Sequence, residues 1–158
     1  LFKLCYEAHK LITLIFTGQN IKFGNFTLLP KSVVEKMVNE KATWNSFSGS
    51  LSKIENNLIS INSVRGTRYF GPSKMSFYNL IKHSLSIISV FRKTFLIRSA
   101  LFIILYILLI KSNASIITAI PLILLLIAVY AVSNLALREN KEEFDKALSN
   151  INDIDKIK

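Results

Sequence analysis

The chain has 158 residues, the length of about one domain, of which 51% are apolar and 19% are charged, with a net charge of +10. This apolar content excludes a disordered chain, and two long segments almost free of charge, residues 94–110 and 112–137, exclude a simple soluble globule. The basic charge favours anionic lipid headgroups or phosphate-bearing ligands at a membrane surface, whereas nucleic acid is not expected because the sequence lacks zinc-ligand spacing and an aromatic RNA-binding motif.

The first predicted elements are helical. Apolar residues at helical spacing predict a helix over Phe2–Thr17, and Gly18 is placed to end it. Residues 19–29 are expected to be extended. The Ser-x-x-Glu pattern of Ser32–Glu35 is typical of a capping box and predicts a short helix that runs to about Glu40.

A second amphipathic helix and one strand are expected next. The helix is indicated by four apolar residues spaced three or four apart: Trp44, Phe47, Leu51 and Ile54. Apolar and polar residues then alternate over Leu58–Val64, which predicts a strand. The expected fold class is therefore mainly α with a small β component.

The loop of residues 65–74 is the candidate phosphate-binding segment. Arg65 and Arg68 offer forked donors to phosphate oxygens, Lys74 offers a point charge, and Ser73 offers a hydroxyl. On charge pattern alone, a dedicated phosphate site and nonspecific contact with lipid headgroups are both open.

Residues 75–93 are predicted to form an amphipathic helix at the membrane–water interface. One stripe is apolar (Phe77, Leu80, Ile81, Leu85, Ile88 and Phe91) and the other is polar (Asn79, Lys82, His83, Ser86, Ser89 and Lys93). The alternative is an ordinary surface helix of a soluble domain.

Residues 94–137 are predicted to form a two-helix transmembrane hairpin with its turn at Lys111-Ser112-Asn113. Basic residues flank the outer ends, so the positive-inside rule places both termini in the cytoplasm of a chain integral to the cell (inner) membrane. Arg98 lies inside the shorter segment and is expected to reach the headgroups. Pro121 is expected to kink the second segment.

The charged segment 138–158 is predicted to form an amphipathic cytosolic helix. Apolar residues recur in it every three or four positions. It docks either on the chain's own domain or on another subunit, which would make a homo-oligomer.

Two ordered segments, Gly24–Val34 and Arg65–Met75, followed by two spanning helices, resemble the C-terminal half of membrane-bound family 2 glycosyltransferases. The likeness includes the dolichyl- and polyprenyl-phosphate sugar transferases and covers about Leu4–Leu137. Its most specific element is Arg-x-x-Arg-x-x-Gly-x-Ser-Lys, which spans residues 65–74.

The resemblance implies a function for each region. Residues 1–74 would be the C-terminal remnant of a cytosolic α/β nucleotide-sugar transferase domain. The resemblance places four residues on the acceptor or diphosphate side of the site: Arg65, Arg68, Ser73 and Lys74. Asn25 would line the active site where many members carry Asp. The acceptor would be a polyprenyl phosphate or a glycan held at the membrane.

The resemblance also implies an inverting enzyme that uses Mg²⁺ or Mn²⁺ bound by an Asp-rich motif. The chain has no Asp before Asp145, and its four Glu residues before Arg138 are not paired in sequence, whereas hard cations need carboxylate oxygens. We therefore expect a fragment that lacks its N-terminal portion, holds no cofactor and is inactive alone. The alternative is a non-enzymatic membrane adaptor whose basic face binds anionic lipid.

Overall fold

A computed structural model describes residues 2–21, 26–59, 61–62, 66, 69, 71, 76–139, 142 and 146. These residues form six α-helices, one 3-10 helix and no strand. The α-helices are α1 (Phe2–Thr17), α2 (Lys31–Val38), α3 (Phe47–Ile54), α4 (Phe77–Ser89), α5 (Arg92–Ile110) and α6 (Ile116–Ala136), and the 3-10 helix is Lys41–Trp44. The prediction of a mainly helical chain is confirmed.

The predicted strand at Leu58–Val64 is not formed by those of its residues that the structure describes. Ile59 and Ile61 are both almost fully exposed, whereas a strand with alternating polarity needs a partner strand and a buried face. No strand among the described residues offers such pairing. The small β component and the α/β remnant therefore remain predictions, and residues 60 and 63–65 lie outside the described part.

Helix α2 begins two residues earlier than a Ser32 cap would allow. Pro30 occupies the N-cap position with extended backbone, and no side chain caps the helix. Its carbonyl accepts from the N–H groups of Val33 and Val34 at 3.0 and 3.1 Å. Proline suits this helix start because it has no N–H to leave unpaired and its φ is already fixed. The predicted Ser32–Glu35 capping box is thus wrong, since Ser32 lies within the first turn.

Residues 29–54 form a small helical unit, here called the α2–α3 unit. Its core consists of Val33, Met37 and Leu51, packed by the partly buried Leu29, Phe47 and Ile54. Helix α3 begins at a true cap, because the Ser46 hydroxyl accepts from the N–H of Gly49 at 3.1 Å. The second predicted helix therefore exists, with a separate 3-10 turn ending at Trp44 before it.

The second core lies where α1 and α4 pack against the outer ends of α5 and α6. This region, here called the hairpin base, buries Ile88 of α4, Phe95 of α5 and Val132 of α6. Phe16 of α1 packs on it, with its ring centroid 5.6 Å from that of Phe95. The hairpin base therefore joins one side chain from each of four helices.

Helices α5 and α6 are each long and apolar enough to cross a membrane. They have 19 and 21 residues, with mean hydropathies of 2.1 and 2.6, and only 11% of each apolar window is buried. A core helix of a water-soluble protein would be covered by other elements, and these two are not. This supports association of the chain with a membrane.

The turn between the two apolar helices is closed by side-chain hydrogen bonds. Ser115 and Thr118 form a reciprocal capping box at the start of α6. The hydroxyl of Tyr106 on α5 donates to the carbonyl of Thr118 at 3.2 Å. Helix α6 continues through Pro121 to Ala136. The predicted helical hairpin is thus present.

Helix α4 is amphipathic only over its first half. Tyr78 and Ile81 are exposed, but every residue from Ser86 to Val90 is buried. Ser86 and Ser89, which belong to the polar stripe, are buried because their hydroxyls donate to carbonyls of their own helix, those of Lys82 and Ser86 respectively. The second half of α4 is therefore an interior element of the hairpin base.

Candidate membrane-interface site

The predicted site residues Arg65, Arg68, Ser73, Lys74 and Asn25 all lie outside the described part of the chain. Three residues of the same loop are described. Tyr69 is almost fully exposed, and a Cβ atom added at Gly66 or Gly71 would meet no atom within 4 Å. These three positions border open space and leave room for a ligand to approach.

The cations of the hairpin base form the charged surface that the structure does describe. Four of them are exposed: Lys82, Arg92, Lys93 and Arg138. The sequence from Asn56 to Arg138 contains nine basic residues and no Asp or Glu. Arg92 and Arg138 lie at the outer ends of antiparallel helices, so their charges are at the same end of the hairpin. This end presents an anion-attracting surface beside the apolar helices.

Ion pairs are found elsewhere in the described structure. Glu7 pairs with Lys10 at 3.4 Å, Glu35 with Lys31 at 4.0 Å, and Glu40 with Lys53 at 3.0 Å. None of these three pairs includes a cation of the hairpin base.

Arg98 has a partner that the sequence did not predict. Its Nη1 donates to the carbonyls of Leu14 and Ile15 in the last turn of α1, at 3.3 and 2.7 Å. Carbonyls at a helix C-terminus carry partial negative charge, so a guanidinium stabilises them, here in addition to the Gly18 N–H that the Leu14 carbonyl accepts. Although Arg98 is exposed, its bonds are to the protein and attach α1 to α5. No local pattern could reveal this contact, because its partners are more than 80 residues away.

Gly18 ends α1 as predicted and makes the Arg98 contact possible. Its φ is +77°, and its N–H donates to the carbonyl of Leu14 at 2.8 Å. A Cβ atom at this position would lie 3.0 Å from Nη2 of Arg98. The left-handed backbone therefore favours glycine here, and a Cβ atom would also press on the guanidinium of Arg98.

His9 of α1 lies within electrostatic range of His83 of α4. His9 is half-buried, and its Nδ1 lies 3.4 Å from the hydroxyl of Thr13. Burial lowers the pKa of His9 below its ordinary value of 6.5, and the nearby His83 lowers it further. Burial and the neighbouring imidazole therefore both disfavour the charged form of His9 in the folded protein.

Small residues bring α3 against α4. A Cβ atom at Gly49 would lie 3.0 Å from Cγ2 of Val90 and 3.3 Å from the carbonyl oxygen of Ile87. Ser50 is fully buried, and its hydroxyl has no hydrogen-bond partner within the described residues. Gly and Ser at a helix interface allow close backbone approach, which fixes the α2–α3 unit next to the hairpin base.

The metal that the resemblance implies does not fit this part of the chain. The described residues contain no group of three or more His, Cys, Asp or Glu side chains that could hold a metal ion. Asp145, Asp153 and Asp155, the only aspartates in the sequence, lie outside the described part. No chemical step at a metal is therefore derived for this chain.

The chain matches no protein-family model, no curated protein and no solved structure.

Proposed function

We propose that this chain is the C-terminal, membrane-anchored part of a family 2-like glycosyltransferase. The intact enzyme, and not this fragment alone, transfers a sugar from a nucleotide sugar to an acceptor held at the membrane, a polyprenyl phosphate or a glycan. The observation that carries the proposal is the coincidence of two features. The Arg-x-x-Arg-x-x-Gly-x-Ser-Lys segment of residues 65–74 immediately precedes α4, and α4 packs into a base with several exposed cations next to two apolar helices.

In the proposed orientation, both termini and the hairpin base face the cytoplasm, and Lys111 faces the opposite side of the inner membrane. Positive charge favours the cytoplasmic side, and here the base carries Lys82, Arg92, Lys93 and Arg138, against the single Lys111 in the turn. The cytosolic segment of residues 1–74 then lies on the side where nucleotide sugars are available.

In the proposed reaction, an acceptor oxygen attacks the anomeric carbon of the sugar. The new carbon–oxygen bond forms as the bond to the nucleotide diphosphate breaks, and the configuration inverts. Arg65, Arg68 and Lys74 hold phosphate oxygens near the bilayer, and the Ser73 hydroxyl adds a hydrogen bond. We assign only the membrane and acceptor side of the site to this chain, because the described residues include no cluster of carboxylates that could hold the donor metal.

The test uses the protein expressed from its complete reading frame in membranes. Labelled nucleotide sugars and polyprenyl phosphate are supplied, and transfer of label to lipid is measured. Replacing Arg68 and Lys74 together by Ala should raise the KM for the acceptor at least about tenfold or abolish transfer, since each charge-assisted bond is worth about 1.5–3 kcal/mol. The matched control is Lys111→Ala, a cation at the other end of the hairpin, which should transfer sugar like the wild type.

Unchanged kinetics in the double variant would remove the loop from the mechanism. The second candidate is a membrane adaptor that binds anionic lipid, favoured by the exposed cations of the hairpin base. It predicts no transfer with any nucleotide sugar, together with binding to anionic vesicles that the double variant weakens. An Asp-rich region encoded upstream of Leu1 in the same frame would favour the enzyme, and a start codon at that position would favour the adaptor.

A further inference from the structure

An open groove lies between α4 and α6 on the outside of the hairpin base. Its volume is about 300 Å³. Its wall is mostly apolar and includes Ile81 and Ala131, and four of its lining residues carry a polar group: Lys82, Asn134, Tyr78 and Tyr130. The groove therefore combines a long apolar surface with a few polar groups that donate hydrogen bonds.

The position of the groove along α6 corresponds to the headgroup region of a bilayer. Asn134 lies four residues before Arg138 and Tyr130 lies one turn further in, which is about 6 and 12 Å along the helix axis. Both Tyr78 and Tyr130 are more than two-thirds exposed. Exposed tyrosines next to the end of a spanning helix are typical of the membrane–water interface.

The electrostatics of the groove favour an anion. Among the residues that the structure describes, Lys82 is its one lining cation and no carboxylate lines it. The nearest acidic residues in sequence are Glu55 and Glu139, at the two ends of the acid-free stretch. A phosphate placed here would therefore find an ammonium, an amide and phenolic hydroxyls, with no competing negative side chain among the lining residues.

We propose that the groove between α4 and α6 binds one anionic phospholipid of the bilayer. Its phosphate contacts Lys82 and Asn134, and an acyl chain lies along the apolar wall at Ile81 and Ala131. A bilayer lipid is the occupant because the groove continues into the exposed apolar face of α6, where Ile127 is 58% exposed, and lipid covers such a face in a spanning helix. This inference depends on the hairpin crossing the membrane and does not depend on sugar transfer.

The experiment uses the full chain purified in dodecyl maltoside. Native mass spectrometry measures how much palmitoyl-oleoyl phosphatidylglycerol and phosphatidylcholine stay bound when both are offered at equal concentration. We expect phosphatidylglycerol to be retained about fivefold better, as one lysine near a membrane surface attracts an anionic lipid to about that extent. In Lys82→Gln this preference should fall to near one, and Ala131→Phe, which fills the groove, should reduce retention of both lipids.

The control is Lys111→Gln, which removes a cation from the opposite end of the hairpin and should keep the fivefold preference. Each variant is first checked for an unchanged melting temperature without added lipid, and only variants that pass are compared. An undiminished preference in Lys82→Gln would overturn the proposal. Equal competition by glycerol phosphate would overturn it too, because the apolar wall would then contribute nothing.

Displacement of phosphatidylglycerol by an equal amount of polyprenyl phosphate would also overturn it, by identifying the acceptor as the occupant. The lipid measurement includes no nucleotide sugar, so its failure says nothing about transfer. Conversely, a chain without transferase activity can still bind the phospholipid.

Discussion

The α2–α3 unit and the hairpin are built on cores of similar size but have opposite outer surfaces. Each core contains three fully or almost fully buried apolar side chains. Outside its core, the α2–α3 unit presents Lys and Glu, including the pair Lys53–Glu40. The hairpin presents Ile and Leu along nearly its whole length. The composition of the core therefore does not distinguish the two regions. The polarity of the outer surface does, because it indicates water around the α2–α3 unit and lipid around the hairpin.

The difference between the two outer surfaces is tested most directly by placing one charge on each of them. Leu126, in the middle of α6, is 56% exposed, and Val38, at the end of α2, is 61% exposed. A lysine at the centre of a spanning helix costs about 2.5–3.5 kcal/mol, while a surface substitution in water costs within about 0.5 kcal/mol. Leu126→Lys should therefore reduce the carbonate-resistant, membrane-inserted fraction at least severalfold, and Val38→Lys should leave it unchanged. Equal insertion of both variants would contradict the membrane assignment of α6.

A smaller effect is expected at the contact between α1 and α5. Gly18→Ala forces a non-glycine residue into positive φ, which costs about 1–2 kcal/mol, and places a methyl group against Arg98. The melting temperature in detergent should fall by several degrees. Gly66→Ala is the matched control, because its added Cβ atom meets nothing within 4 Å, and it should melt like the wild type. If the two variants melt alike, the capping contact does not stabilise the hairpin base.

The smallest expected effect is on the pH dependence of stability. The two regions should lose stability in different pH ranges. The pKa of His9 is lower in the folded chain than in the unfolded chain, so as the pH falls the unfolded chain is protonated at His9 before the folded chain. The hairpin base therefore loses stability as the pH falls below about 6.5. Burial raises the pKa of Glu40, but the Ala42 N–H and Lys53 lower it by more, so its contribution is lost only as the pH falls below about 4.5.

Melting curves between pH 7.5 and 3.5 test this separation. His9→Gln should flatten the upper part of the pH dependence and Glu40→Gln the lower part. A single transition unaffected by either substitution would show that neither group is linked to folding.

Local sequence patterns predicted the elements whose causes are local. The end of α1 at Gly18 follows from the freedom of glycine to adopt positive φ, and α5 and α6 follow from unbroken apolar composition. The capping box assigned to Ser32 is wrong because Pro30, two residues earlier, already starts the helix. The capping box at Ser115 and Thr118 was not predicted, although the Ser-x-x-Thr spacing could have indicated it.

What local patterns could not predict depends on distant partners. The polar stripe of α4 places Ser86 and Ser89 together with Lys82, but their hydroxyls bond to their own helix, so both residues can be buried. Arg98 finds its carbonyls on α1, and periodicity within α5 contains no information about that neighbour. The proposed phosphate-binding residues 65–74 come from a motif, and the described structure adds only the open space around Gly66 and Gly71.

One hydrogen bond joins the two ends of the region that contains the hairpin. The Asn45 amide beside α3 donates to the carboxylate of Glu139 just after α6, at 2.8 Å, across 94 positions of sequence. The segment between Asn45 and Glu139 includes both apolar helices and residues 65–74, and this hydrogen bond joins its two ends. This bond ties the residue that follows α6 to the end of the 3-10 helix Lys41–Trp44, because Asn45 is the C-cap of that helix.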